Sequence, residues 1–529
     1  MLMKKYTVNN LERKIFILLC LISFSVFVFT SDGHRYTIDE HHSQQQVLRL
    51  VDMIPDPSYI QGESKMLFHT PNMNPYNSGL LCKNAILCYP TYIGHAILEY
   101  PFVWINNTFE IIKENDAKLS LNDFDDANYI FWRNSQDPNL TFLELFYGPV
   151  YASLSVGCLF LISRTFNYKL NTSIIISLLF SFSTILWAYS TTSFNVVGSL
   201  CFILFGYLFF RKFQTNNSNF NLLLSASFFG FGFLIRPDTV LFIIPLFVII
   251  IFGIIKKQYK IINFPVFIFP VIFSYMLYRL IIFLRVENTT TSQDIVTEST
   301  SLVTGLIMVA FYKASRYTSG VVGLFLSPGA GLLIFSPILL TIGFSLYDFY
   351  KRNKSECYLL TSFCVLFAIQ YGSMSTWHGL VSWGGRYLIP IIPFMLIMLG
   401  ASIEKRSKKF IILVLIVLGS FGILINLIYV LQDVSWFVWS YPGSKIGLFG
   451  LANRLDDLYI NPAIIWTFEF SQLTQSFIEI FKNFQVDIYL LKLFGHTYYG
   501  IIFISVMISL SFLLIRTFRK ANKQFEIKN

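Results

Sequence analysis

The sequence predicts an all-α integral membrane protein of about 12 transmembrane helices, with interfacial helices and long external loops. Composition is the first observation behind this. Of 529 residues, 54% are hydrophobic before glycine is counted and only 13% are charged. Soluble domains are about 45–50% apolar with glycine included and about 25% charged. The second is a set of roughly twelve runs approaching the ~20 apolar residues that carry a helix across a bilayer. The third is the clustering of Lys and Arg in short segments between alternate runs. Together these exclude a soluble enzyme, a disordered chain and a collagen-like fibre. Seven Cys without regular spacing give no disulfide framework and no zinc signature.

Taken in order, the apolar runs lie at about 14–30, 142–163, 172–189, 193–210, 220–235, 239–255, 262–284, 329–349, 357–373, 387–402, 410–431 and 497–515. The first lacks a small-residue cleavage site and is followed by eleven more, so it reads as a retained anchor. With the N-terminus in the cytoplasm, every inside segment is short and basic. About 23 of the 40 Lys and Arg fall there, with five acids, Glu12, Asp348, Glu356, Glu404 and Glu526. The outside then holds about 17 basic and 25 acidic residues. The formal charge of +10 therefore reports orientation and not a nucleic-acid partner. Both termini are expected inside.

This divides the chain into 1–30 (cytoplasmic start and first helix), 31–141 (external loop), 142–431 (multi-span core), 432–496 (external loop) and 497–529 (last helix and basic tail). Within the first loop, 85–105 (AILCYPTYIGHAILEYPFVWI) is apolar but broken by Pro90 and Pro101. It reads as an interfacial helix pair. Sequons occur equally on both sides and carry no information. No fixed-period repeat is found.

With charge so scarce, polar residues at the outer ends of the runs are the candidates for chemistry. Asp39 and Glu40 follow the first run by about nine residues. Such a carboxylate pair at the membrane surface can act as a general base, or be two solvated acids. Asp123, Asp125 and Asp126 read as solvated loop. His34, His41, His42 and His95 share that loop, but no spacing matches a closed zinc motif. A divalent ion is left open. Arg236 closes the fifth run; it either grips a lipid phosphate with its planar fork or pairs with Asp238. WHGLVSWGGRYLIPIIP, from Trp377, puts His378 and Arg386 beside two glycines, where backbone amides and a guanidinium can approach an anion. GLFLSPGAGLLIFSP, from Gly323, likewise opens a run with Gly and Pro.

In their order and membrane side these segments resemble the GT-C glycosyltransferase superfamily. The nearest branches are the protein O-mannosyltransferases and lipid A aminoarabinose transferases, the dolichyl-phosphate-mannose-protein mannosyltransferase-like group. TIDE at 37–40 looks like that group's Asp-Glu motif. YPTYIGHAIL at 89–98 is similar to its Tyr-Pro-Pro-Gly helix, with Thr91 for the second Pro. LWAYSTTSFNVV at 186–197, FLIRPDTVLFIIP at 233–245 and the two Gly-Pro segments fit as well. The likeness covers about 14–401; the region 106–138 has no counterpart, and 402–529 matches only as span, loop, span.

The resemblance implies a GT-C fold and an inverting, metal-independent or weakly metal-dependent transfer. A sugar passes from a polyprenyl-phosphate donor to a protein, glycan or lipid acceptor at the outer face. Asp39 would take the acceptor's proton and Glu40 support it. Arg236, Arg386 and His378 would hold the phosphate, and Tyr89 and His95 of the Tyr-Pro helix would join them in binding the substrate. It also implies a prokaryotic plasma membrane, or an endoplasmic reticulum in a eukaryote. Two other readings stand beside this one. Twelve spans with both termini inside also suit a secondary transporter, although SRTFNYKLN between runs two and three lacks the major-facilitator loop pattern, and the spans carry few mid-membrane charges. The other is a non-catalytic GT-C-like membrane protein.

Overall fold

In the computed structural model of the chain, the described residues are 9–33, 44, 47, 80–82, 86–88, 93–117, 137–285, 314–374, 377–379, 382–432, 462–483 and 486–526. All twelve apolar runs fall largely on helical backbone. Seven helices among the described residues are long and apolar enough to cross a membrane: Pro138–Thr165, Asn195–Asn216, Pro237–Ile255, Asn263–Ile281, Arg386–Lys405, Lys408–Leu431 and Tyr489–Thr517. The protein is thus an α-helical, membrane-embedded chain. The other five runs are shorter, interrupted or more charged. The first helix, α1 (Asn10–Phe29), starts on a capping box between Asn9 and Glu12 and carries Glu12, Arg13 and Lys14 in its opening turn.

The helices that follow are α2 (Ile93–Phe109), α3 (Pro138–Thr165), α4 (Leu170–Phe182), α5 (Asn195–Asn216), α6 (Asn219–Ile235), α7 (Val240–Ile255) and α8 (Asn263–Arg285). After these come α9 (Ala314–Leu326), α10 (Ile342–Arg352), α11 (Lys354–Gly372), α12 (Ile392–Lys405), α13 (Lys408–Leu431), α14 (Gln472–Asn483) and α15 (Tyr489–Glu526). The interior is built on α3, α5 and α12, whose apolar stretches are 78%, 78% and 83% buried. On α13, α8 and α15 the figures are 28%, 17% and 0%. Those outer helices expose Phe421, Phe273 and Ile508, a surface suited to hydrocarbon and not to water.

Two features differ from the sequence expectation. The 85–105 segment is not a pair of interfacial helices. It contains the strand Ile86–Cys88, paired antiparallel with Leu80–Cys82, and from Ile93 it belongs to α2, which runs on through Pro101. The strand's partner lies upstream, where the local pattern of 85–105 gives no sign of it. The run at 329–349 is likewise not one helix. It divides into Leu332–Phe335, a 3-10 turn Pro337–Thr341 and α10. Pro337 lacks the N–H that a continuous helix needs.

Helix ends gather on two faces. On one, buried or partly buried ion pairs tie neighbouring helices together. Glu12 of α1 meets Arg164 of α3 at 2.8 Å. Glu356 of α11 meets Arg211 of α5 at 2.5 Å. Asp348 of α10 lies between Lys405 of α12 at 2.7 Å and Arg406 at 2.5 Å. Glu404 of α12 returns the contact to Arg352 of α10 at 2.6 Å. These are the short, basic segments of the sequence. The opposite face collects the other ends of α3, α5, α6, α11 and the start of the Arg386–Lys405 helix.

Candidate functional site

The opposite face holds a compact polar corner. Arg236 ends α6 in extended backbone (φ −146°, ψ 119°), as expected for a residue before proline. The 3-10 turn Pro237–Thr239 then brings Asp238 back beneath the guanidinium. Arg236 Nε donates to Asp238 Oδ1 and Oδ2 at 3.2 Å, and Nη2 to Oδ2 at 2.7 Å. Nη2 also donates to Tyr371 Oη at 2.8 Å, and Nη1 to Asn195 Oδ1 at 3.3 Å. Tyr371 in turn donates to Asp238. Both members of the ion pair are buried.

Tyr371 connects this pair to the second arginine. Its ring stacks on Tyr387, with centroids 4.5 Å apart and planes 6° from parallel. Arg386 lies over Tyr387 at 5.2 Å and over Phe194 at 5.1 Å, within cation–π range. Arg236 and Arg386, 150 positions apart in sequence, are thus joined through two aromatic rings, with Phe194 and Asn195 of the α5 start between them. That start can lie close because Gly148 of α3 faces the preceding loop. A Cβ there would meet Ser190 O and Thr192 O at 2.4 Å.

His378 completes the corner. The Cβ position of its neighbour Gly379 lies 3.1 Å from Arg386 Nε, and Trp377 contacts the His378 ring at 5.5 Å. Burial, then the Arg386 charge, pushes the His378 imidazole down to about 4. At neutral pH the positive charge here rests on Arg386, and His378 is an uncharged donor and acceptor.

His95 lies on a neighbouring wall. Its Nδ1 is 2.8 Å from Tyr147 Oη and its Nε2 3.2 Å from Glu99 Oε1, so both ring nitrogens are engaged inside the protein. The adjacent Gly94 packs against the backbone of Leu234 and Ile235, directly before Arg236. On α3, the buried Glu144 accepts from Ser193 N at 3.0 Å, from Ser193 Oγ at 2.8 Å and from Gln44. Asp39, Glu40 and Tyr89 lie outside the described residues, as do His34, His41, His42, Asp123, Asp125 and Asp126.

Of the expected residues, Arg236, His378 and Arg386 share one corner, and His95 lies beside it. Tyr387 belongs to the segment from Trp377 already singled out, but sequence reading missed Asn195, Glu144 and Tyr371 as members. Glu144 had a signal, being a carboxylate at the start of a long apolar run. Asn195 and Tyr371 are neutral and carried none. Among the described residues, no three His, Cys, Asp or Glu side chains stand where they could hold a metal ion. Chemically, the corner brings together a cation, a neutral imidazole and stacked phenols. No family model and no curated protein matches the chain.

Proposed function

We propose that this chain is a GT-C-type membrane glycosyltransferase. On this reading all twelve apolar runs cross a prokaryotic plasma membrane with both termini cytoplasmic, and a sugar moves from a polyprenyl-phosphate donor to an acceptor at the outer face. The observation that carries the proposal is the meeting of Arg236, Arg386 and His378 at one end of the bundle. A phosphate leaving group gathers charge as its bond to the sugar breaks, and fixed donors aimed at that charge lower the barrier. Arg386, set on aromatic faces, is the principal phosphate ligand. Arg236, already paired with Asp238, is a positioning residue that holds Tyr371 and so the Tyr387 platform.

The chemistry is a single displacement. The acceptor oxygen bonds to the anomeric carbon, the sugar–phosphate C–O bond breaks, and polyprenyl phosphate leaves with the electron pair. The acceptor's proton goes to Asp39. Gln44, five residues after Asp39, hydrogen-bonds Glu144 beside the α5 start.

The test is release of polyprenyl phosphate from a panel of polyprenyl-phosphate hexoses by the reconstituted full-length protein. Asp39→Asn should lower turnover about 10²–10⁴-fold, the usual worth of a general base. Arg386→Ala should lower kcat about 10²–10³-fold, as for an oxyanion donor. Full activity of Asp39→Asn would falsify the base assignment. Unchanged kcat and donor KM in Arg386→Ala would remove the phosphate site.

A further inference from the structure

A second feature lies away from the polar corner. A cavity of about 590 Å³ opens between α1, the Phe182–Trp187 corner, α13 and α15. None of its lining residues belongs to the Arg236–Arg386 cluster. Its size falls in the range of ligand clefts, roughly 300–1,000 Å³, and far exceeds the ~150 Å³ at which an apolar void already binds a small hydrocarbon.

Three polar groups on its wall are satisfied by protein. Trp187 Nε1 donates to Thr30 Oγ1 at 3.1 Å, Thr30 Oγ1 to Val26 O at 2.9 Å, and Tyr499 Oη to Phe29 O at 2.5 Å. His496 is the one other polar side chain in the lining and the rest is apolar, so ordered water would find few of the two to four partners it needs. The cavity selects hydrocarbon.

Its shape comes from a bend in α15. Gly495 has φ 72° and ψ 162° inside an otherwise helical segment, a conformation essentially restricted to glycine. Before the bend, Ile488 and Leu491 form one wall; after it, His496, Tyr499, Phe503 and Met507 form another. The last four recur on one helix face. From His496 to Met507 the wall is about 16 Å tall, close to half of the ~30 Å hydrocarbon core. It also lies at the end away from the basic face, beside Thr30 after α1 and Leu431 at the close of α13. The wall is therefore as deep as one leaflet.

We propose that this cavity holds one acyl chain of a phospholipid from the leaflet opposite the basic face, with Gly495 bending the last helix around it. The site stands independently of the transferase reading, since it shares no residue with the polar corner.

The test is native mass spectrometry of the full chain purified in dodecyl maltoside, before and after addition of phosphatidylglycerol. The wild type should retain one phospholipid per chain. Leu427→Trp and Met507→Trp, which fill the cavity, should each lower that occupancy at least five-fold. Phe421→Trp, on the lipid-facing side of the same α13, should leave it unchanged. Thermal unfolding in detergent identifies a misfolded variant, and the two cavity variants serve as alternates for one another. Three results overturn the proposal: no retained lipid in the wild type, equal occupancy in a folded cavity variant, or a retained mass of polyprenyl phosphate in place of phospholipid. The last would assign the cavity to the donor's tail.

Discussion

His378 shows how one neighbour sets a proton. Its imidazole is pushed from 6.5 to about 4 by burial and by Arg386. A histidine whose folded pKa lies below its unfolded value takes its proton preferentially in the unfolded chain. Stability is therefore undiminished above about pH 6.5 and falls as pH drops toward 4, where the loss levels off. His378→Gln should show a weaker fall in melting temperature between pH 6.5 and 4.5 than the wild type, in the same detergent. Parallel curves for the two proteins would dispose of the buried neutral imidazole. The same scale shows what sequence reading can reach. Arg236, Arg386 and His378 stood out because charged or titratable residues at the ends of apolar runs are few. Tyr371 is one of 29 tyrosines and ends a run without comment. Its role exists only because α11 brings it to Asp238, a partner 133 positions away.

At the scale of elements, the segment from Trp383 to Ile391 carries the corner. Trp383 is 1% exposed, wedged between Phe335 at 5.0 Å and Tyr429 at 5.2 Å. The chain then turns through Gly384 at φ 67°, where an added Cβ would lie 2.8 Å from Phe335 Cβ. Gly385, by contrast, has φ −76° and nothing nearer than 3.3 Å. Gly384→Ala should therefore be the more damaging change, with about 1–2 kcal/mol of left-handed strain added to the clash. Gly385→Ala needs only a small adjustment. Melting temperatures of the two variants decide the matter, and a larger loss for Gly385→Ala contradicts this account. The GG pair before an arginine was visible in the sequence, but which glycine bears the turn was not. Nor was the break in the 329–349 run, because apolar content counts Pro337 as one more residue and takes no account of its missing donor. The same limit applies in reverse to α2. Pro101 suggested a break, yet the helix continues through it, its buried Ala96 and Val103 facing the protein on either side.

At the scale of the whole molecule, the charge pattern and the packing agree without sharing a cause. The sequence assigns five acids to the short basic segments. Four of them, Glu12, Asp348, Glu356 and Glu404, pair with bases of other helices on one face. Asp348 also accepts from Ser402 Oγ at 2.8 Å, so that three side chains hold its carboxylate. Pairing uses up little of the basic excess. Lys256, Lys257, Lys408 and Lys409 have no ion pair among the described residues and are mostly exposed, as a face against anionic lipid would require. If that face is cytoplasmic, single cysteines in a cysteine-free background should sort by side. Lys257→Cys and Lys409→Cys should react with a membrane-impermeant maleimide only after the cells are opened. Glu469→Cys and Thr108→Cys, exposed near the opposite ends, should react on intact cells. Labelling of Lys409→Cys on intact cells would reverse the orientation, and with it the placement of the Arg236–Arg386 corner on the outer side.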